Sequence, residues 1–280
     1  MTAYYQNDKT IAFISKYGLF KEDPIQQVQL QHRLNLVDAF EIKEGMRVLE
    51  IGCGQGDTTV AIADAVGDTG HVVAIDIASP DYGAPLTLGQ STNLIKNSPL
   101  GKRISFHFEM DFEEFQSNTP FDVAVLSHSS WYFRSPEDLQ KYFMKLRKIS
   151  KKICFAEWDL EFTSINQRSH FCAATILSLY SSFVNNDGNI QNLFDKKQIQ
   201  HLLEQSGFHI EKQLTVNATY LQDSHWEKDY ANSIRPDFDH VPPMIQSIVK
   251  SYYHVMNEQN EEVVESLNSF ILIAKTNETA

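Results

Sequence analysis

The stretch Val48-Leu49-Glu50-Ile51-Gly52-Cys53-Gly54-Gln55-Gly56-Asp57-Thr58-Thr59 constrains the fold more than any other part of the chain. An apolar run with strand character enters a turn that holds three glycines, and a segment with helical spacing leaves it. Glycines at such a turn let the backbone bend sharply and come close to a ligand. Glu50 stands two residues before the first of them, at the carboxyl end of the strand. The stretch reads as the floor of a nucleotide-type pocket.

The rest of the chain supplies the sheet that such a floor belongs to. Apolar runs predict strands over 46–51, 71–75, 104–109, 121–126, 153–155, 208–216 and 269–274. Between them, helical spacing and cap residues predict helices over 24–40, 58–66, 89–97, 136–149, 164–185, 195–205, 224–233 and 243–259. Residues 1–22 are mixed and aromatic, with Tyr4, Tyr5, Phe13, Tyr17 and Phe20. Segment 78–88 is longer than a usual strand-to-helix loop and reads as an insertion over the pocket. Alternating strands and helices predict a mostly parallel α/β sheet, which binds ligands beyond the carboxyl ends of its strands. The positions to inspect are therefore 50–56, Asp76, Asp111, 127–132 and 157–159. With no repeat or linker, residues 1–280 read as one domain. Its core is expected at about 41–160, 194–222 and 264–276, and its lid elements at about 1–24, 78–88, 160–193 and 223–262.

Charge and cysteine usage narrow the class. A formal charge of −12 disfavours non-specific contact with nucleic acid or anionic lipid. No apolar run approaches the ~18 residues of a membrane span, so no stable membrane association is expected. The amino terminus lacks a basic region followed by an apolar one and does not read as a secretory signal. Cys53, Cys154 and Cys172 are three, with no CxxC, which fits a reducing cytoplasm rather than a disulfide framework or a zinc site. No His, Asp and Glu set has metal-ligand spacing, so no metal is expected.

The glycine turn itself discriminates between nucleotides. A nicotinamide site wants GxGxxG, whereas Gly52, Gly54 and Gly56 form GxGxG and Asp57 takes the place of the third glycine. A carboxylate there would face phosphate charge. Glu50, Asp57, Asp76 and Asp111 surround the expected pocket, and the turn carries no Lys or Arg. That balance favours S-adenosylmethionine, whose sulfonium and ammonium are positive and which has no phosphate.

At this point a family resemblance emerges. LEIGCGQG resembles the first motif of the class I S-adenosylmethionine-dependent methyltransferases, and VVAIDIA with Asp76 resembles their second-strand acidic motif. EMDF with Asp111 is similar to the third-strand motif, and FDVAVLSHSSWYF to the fourth. Asp76 follows Gly52 by 24 positions, and the resemblance covers about residues 46–155. It extends to uncharacterised bacterial small-molecule and cyclopropane-fatty-acid-synthase-like members. It implies a Rossmann-like, doubly wound, seven-stranded sheet with the last strand antiparallel, carrying helical lid insertions. It implies backbone contact from Gly52, Gly54 and Gly56 to the methionine part of the cofactor, with Glu50 nearby. Asp76, with Ile77 beside it, should take the ribose hydroxyls. Asp111 should accept from the adenine amino group, with Met110 or Phe112 against the ring. Ser127 and His128 should line the reacting sulfur. Segment 78–88 departs from the family pattern.

The acceptor side is less defined. His128 is a candidate general base toward an O–H or N–H group, since an unperturbed imidazole titrates near ~6.5; packing against the cofactor is its other role. Glu157 is a candidate acid or base. Trp131 and Tyr132 could wall the substrate or the sulfonium, or be core residues at a helix start. His170 is a candidate substrate contact in the lid or a surface histidine, and His32 and Arg33 could reach the pocket mouth. The expected activity is methyl transfer to a small-molecule acceptor. The alternatives are cyclopropane-forming methylene transfer to lipid and a non-catalytic cofactor-binding protein. Neither acceptor atom nor oligomeric state follows from the sequence.

Overall fold

Seven strands with largely apolar runs need two covering layers, and the helices provide them. A computed structural model of the protein describes residues 7–184, 186, 188–258, 260 and 263–276. Tyr4 and Tyr5, with the rest of 1–6, lie outside the described residues, as do positions 185, 187, 259, 261 and 262 of the expected lid and 277–280 of the expected domain.

The first half of the chain runs α1 (Asp8–Tyr17), α2 (Pro24–Phe40), β1 (Arg47–Ile51), α3 (Asp57–Ala65), β2 (His71–Ile75), α4 (Leu88–Lys96), β3 (Ile104–His107) and β4 (Val123–Ser127). The second runs α5 (Pro136–Ile149), β5 (Lys152–Trp158), α6 (Arg168–Phe183), α7 (Lys196–Gln205), β6 (Phe208–Val216), α8 (Asp223–Ser233), α9 (Pro243–Asn257) and β7 (Ser269–Thr276). The sheet order is β3-β2-β1-β4-β5-β7-β6. All pairs are parallel except those of β7, which is antiparallel to β5 and β6. This is the seven-stranded arrangement expected, with its last strand reversed.

Local chemistry sets the helix starts that matter. Asp23 caps α2 by accepting the Gln26 N–H at 3.0 Å, with Pro24 in the first turn. Ser135 caps α5 in the same way, ahead of Pro136. Central strands β1 and β4 are apolar along most of their length because helices cover both faces. Val48, Leu49 and Val123 to Leu126 are fully buried, each large side chain contributing about 1.5–3 kcal/mol. One core layer joins α1 to α3 with the sheet, and the other joins α5 to α9.

Three expectations on element bounds change. α1 was not anticipated, although Asn7 caps it and Gly18 ends it in the left-handed region. Its aromatic residues, read as lid, are buried against the neighbouring helices; Tyr17 donates to Asp64 at 2.5 Å. β3 stops at His107, since Glu109 turns to φ 53° and donates its N–H to Ala78 O. β5 is longer than expected and carries Glu157 and Trp158 as its last two residues.

Glu50 is part of this framework. It is buried at the end of β1 and accepts the Thr59 hydroxyl of α3 at 2.5 Å, tying the strand to the helix after the glycine turn. Burial lifts its carboxyl from 4.5 to about 8, with Thr59 and Arg33 opposing the shift. A carboxyl raised in the folded state contributes stability that is present below the unfolded value and lost as pH rises through the folded one. Urea unfolding of the wild type and of Glu50→Gln at about pH 5 and about pH 8.5 checks this. Wild-type stability should fall across that window relative to the variant; an equal pH dependence of the two would contradict the assignment.

Candidate functional site

The order of the sheet reverses between β1 and β4, and a cleft of about 1090 Å³ opens at their carboxyl ends. Its floor is the glycine turn. Gly54 has φ +52°, and a Cβ built there would meet nothing within 4 Å, so this part of the backbone lies bare to the cleft. Gly56, at φ +92°, serves packing instead: a Cβ there would come 2.7 Å from Ile95 Cδ1 and 3.4 Å from the Phe106 ring. Gly52 lines the cleft and lies close to Ser129.

Asp76, at the end of β2, is locked by two backbone amides. The Gly54 N–H donates to Oδ2 at 2.7 Å and the Ala78 N–H to Oδ1 at 2.9 Å. Each carboxylate oxygen keeps a further lone pair for a ligand hydroxyl. Asp111 lies beyond β3, where Tyr142 of α5 and the Glu113 N–H both donate to its Oδ1, at 2.9 and 2.8 Å. Met110, Phe112 and Ile77 line the same end of the cleft; Ile77 is 66% exposed and Phe112 1%. An aromatic ring with an exocyclic amine fits between these apolar groups and Asp111.

The opposite end is where charges meet. Asp57 at the start of α3 and Arg33 of α2 both line the cleft. Burial raises the Asp57 carboxyl, and Arg33 opposes that shift. Arg33 Nε and Nη1 are buried with no protein partner, as is Ser127 Oγ at the end of β4. A zwitterionic amino-acid group, with a carboxylate for the guanidinium and an ammonium toward Asp57, supplies what these atoms lack. The cleft as a whole presents Asp57, Asp76, Asp111, Glu113 and Asp138 against Arg33 and Arg134. It is acidic, as a cationic ligand requires.

His128 follows Ser127 in the left-handed region, with φ 51°, and lines the cleft. Its Nε2 lies 3.0 Å from Ser269 Oγ and its Nδ1 3.3 Å from Glu157 Oε1. Burial holds its pKa below the ordinary value, with Glu157 opposing. Beyond it the cleft continues past Tyr132 to Asn189 and to Tyr230 of α8.

Thus Gly52, Gly54, Asp76, Ile77, Met110, Asp111, Phe112, Ser127, His128 and Tyr132 meet on one cleft. Glu50, Gly56, Trp131, Glu157 and His170 do not line it. Trp131 is 3% exposed and packs in the core. Glu157 is held by three donors: Oε2 accepts the N–H and O–H of Ser130 at 3.1 and 2.7 Å, and Oε1 accepts the Trp158 N–H at 3.1 Å. That leaves it an orienting group rather than a free acid or base. His170 is wholly buried, neither on the surface nor on the cleft. Its Nδ1 accepts the Leu267 N–H at 2.8 Å, which places the neutral ring's hydrogen on Nε2, 2.8 Å from Glu227. Tyr142 and Tyr230 were not anticipated; each sits on a helix whose sequence gives no sign of what it faces. The pairing of Arg33 with Asp57 also joins groups far apart in the chain, although Arg33 itself was placed near the pocket mouth.

Among the described residues no group of His, Cys, Asp and Glu could hold a metal ion, the three cysteines are free and buried, and no helix is long and apolar enough to cross a membrane.

Comparison with known proteins agrees with this geometry. The model of a family described as "Methyltransferase domain" matches residues 25–213. Methyltransferase phomM of Diaporthe leptostromiformis is 32% identical over 120 residues, which are 36% of this chain and 31% of that protein; the chain thus spans about a third of that relative's length. A solved cyclopropane-fatty-acyl-phospholipid synthase-like protein from Lactobacillus casei is 32% identical, with a TM-score of 0.86 over 95% of this chain and 98% of its own. Magnesium protoporphyrin IX methyltransferase from Synechocystis, solved with S-adenosylhomocysteine, shares the fold at 11% identity, with a TM-score of 0.51 over 98% of this chain and 97% of its own. The cleft and these matches lead to one conclusion: the chain belongs to the methyltransferase domain family.

Proposed function

We propose that the protein transfers the methyl group of S-adenosylmethionine to a small-molecule acceptor held between the Ser127–His128 strand end and Tyr230. The observation that carries this reading is a single cleft with a complement for each part of the cofactor and further space past Tyr132. Its volume lies just above the ~300–1,000 Å³ usual for one ligand, which suits a cofactor together with a compact acceptor.

In this reading Arg33 holds the methionine carboxylate and Asp57 faces the ammonium. Asp76 takes the ribose hydroxyls, and Asp111 accepts from the adenine amino group between Met110 and Phe112. Ser127 and His128 lie beside the sulfur. When bound, the cofactor supplies a methyl group already activated by positive sulfur. The chain's own task is to align the acceptor with that methyl and to keep water out. Segment 78–88 serves the second need, since Tyr82, Gly83 and Ala84 border the cleft and Gln55 Nε2 donates to Leu86 O at 2.7 Å. Segments 160–193 and 223–262 complete the lid through Asn189 and Tyr230.

A second reading is methylene transfer to a lipid alkene. The similarity to the Lactobacillus casei protein favours it, and the chain's acidic balance weighs against a lipid surface. Acceptor-dependent release of S-adenosylhomocysteine with a water-soluble metabolite extract supports the first reading. Cyclopropane lipids in cells expressing the protein would replace it with the second.

Two substitutions test the placement of the cofactor by calorimetry. Asp76→Ala removes a charged acceptor from the ribose hydroxyls, each bond being worth about 1.5–3 kcal/mol, and should weaken S-adenosylmethionine binding by about 100-fold; unchanged affinity would mean that the adenosine lies elsewhere. Arg33→Gln should weaken S-adenosylmethionine by about 10-fold to 100-fold and leave 5′-methylthioadenosine, which lacks the amino-acid part, unaffected. Equal losses for both ligands would remove Arg33 from the carboxylate.

A further inference from the structure

Behind the cleft wall a buried chain of polar groups links two histidines. Ser269 Oγ lies 3.0 Å from Nε2 of His128 and 3.0 Å from Nε2 of His32, and both His32 and Ser269 are fully buried. On its other side His128 turns Nδ1 to Glu157 at 3.3 Å. The backbone carbonyl of Asn217 lies near the His32 ring and favours its protonation. Glu157 already takes three N–H and O–H donors, and a carbonyl can only accept. The chain Glu157–His128–Ser269–His32–Asn217 therefore ends in an acceptor on both sides.

Counting hydrogens gives the consequence. The chain has four links, and each needs one hydrogen. Two neutral imidazoles and one hydroxyl bring three. Whatever the tautomers, the neutral cluster is one proton short. Nδ1 of His32 and Nδ1 of His128 are both buried and neither makes a hydrogen bond in the structure, so the two end links are close approaches that stand open. One added proton gives every link a hydrogen: His128 then has one for Glu157 and one for Ser269, Ser269 has one for His32, and His32 has one for Asn217.

We propose that this chain takes up the proton released when an acceptor bearing an O–H or N–H group is methylated, entering at His128, with Ser269 and His32 as positioning residues. The inference rests on the methyl-transfer reading above. Methylation exchanges the acceptor's hydrogen for a methyl group. The carbon–sulfur bond breaks with its electron pair left on sulfur, and the positive charge of the sulfonium leaves as a proton. His128 is the member of the chain on the cleft wall. It is faced by Glu157 of β5, Ser269 of β7, His32 and Arg33 of α2 and, at longer range, Asp223 of α8; Trp158 covers it with ring centroids 4.4 Å apart. Burial and Arg33 disfavour the charged ring at rest, and the Glu157 carboxylate offsets the positive charge on His128 once it forms.

Titration of the full chain by nitrogen-labelled histidine NMR, with assignments from His32→Gln and His128→Gln, tests this without any acceptor. His32 and His128 should respond together to the uptake of one proton. In Ser269→Ala the shared step should split, with the His128 midpoint about one pH unit lower because its Nε2–H has lost its acceptor. Independent titration of the two rings in the wild type, or an unmoved His128 midpoint in the variant, would overturn the proposal. A second arm measures S-adenosylhomocysteine release across pH, using a metabolite fraction that supports turnover. Ser269→Ala should move the pH profile of kcat and leave the KM for S-adenosylmethionine in place. A shared NMR step with an unmoved kcat profile would make the chain structural and refute its catalytic use. Failure of the protein to bind S-adenosylmethionine would instead strike the methyl-transfer reading, and the wild-type titration would still report on the chain.

Discussion

The parallel pairing of β1 with both of its neighbours is the constraint on which the site depends. Ile51 lies opposite Ile75 of β2 and opposite Leu126 of β4. The next residues, Gly52, Asp76 and Ser127, therefore lie at one level. The same register pairs Ser127 with Ala156, which sets His128 beside Glu157. A shift of one residue would turn every side chain of a strand to the opposite face and would separate Asp76 from the Gly54 amide that it holds. The apolar burial of β1 and β4 on both faces is thus what keeps the cofactor groups aligned.

Polar groups on this frame divide into those that hold the protein and those left for a ligand. Glu157 and Glu50 are spent internally, on Ser130, Trp158 and Thr59. Asp76 is half spent, on two amides. The Nε and Nη1 of Arg33 and the Oγ of Ser127 are not spent at all. An unpaired buried guanidinium nitrogen is costly, and a bound carboxylate removes that cost. A bound carboxylate would therefore stabilise the cleft at the end where Arg33 stands on an otherwise acidic surface.

Much of this was legible in the sequence because it is local. The glycine turn, the acidic residue at the end of β2 and the polar run after β4 each lie within one strand–turn unit, and the turn chemistry shows in the residues themselves. What was not legible is assembled from distant parts of the chain. His32 and Ser269 are 237 residues apart and meet only because α2 packs across the start of β7. Tyr142 reaches Asp111 from a helix whose pattern records burial and not neighbours. His170 is of a residue type that often binds ligands, yet it is buried, with a backbone amide on Nδ1 and Glu227 2.8 Å from Nε2. Glu157 looked available for proton transfer because a sequence shows a carboxylate and not the donors around it.

The central claim is that one acidic cleft at the β1–β4 reversal holds the cofactor with its amino-acid end on Arg33 and Asp57. A crystal structure with S-adenosylhomocysteine tests it most directly. The account predicts ribose hydroxyls on Asp76 with the Gly54 amide still in place, the carboxylate on the Arg33 guanidinium, and the sulfur beside Ser127 and His128. A cofactor lying in the reverse direction, or one whose carboxylate leaves Arg33 unpartnered, would contradict it.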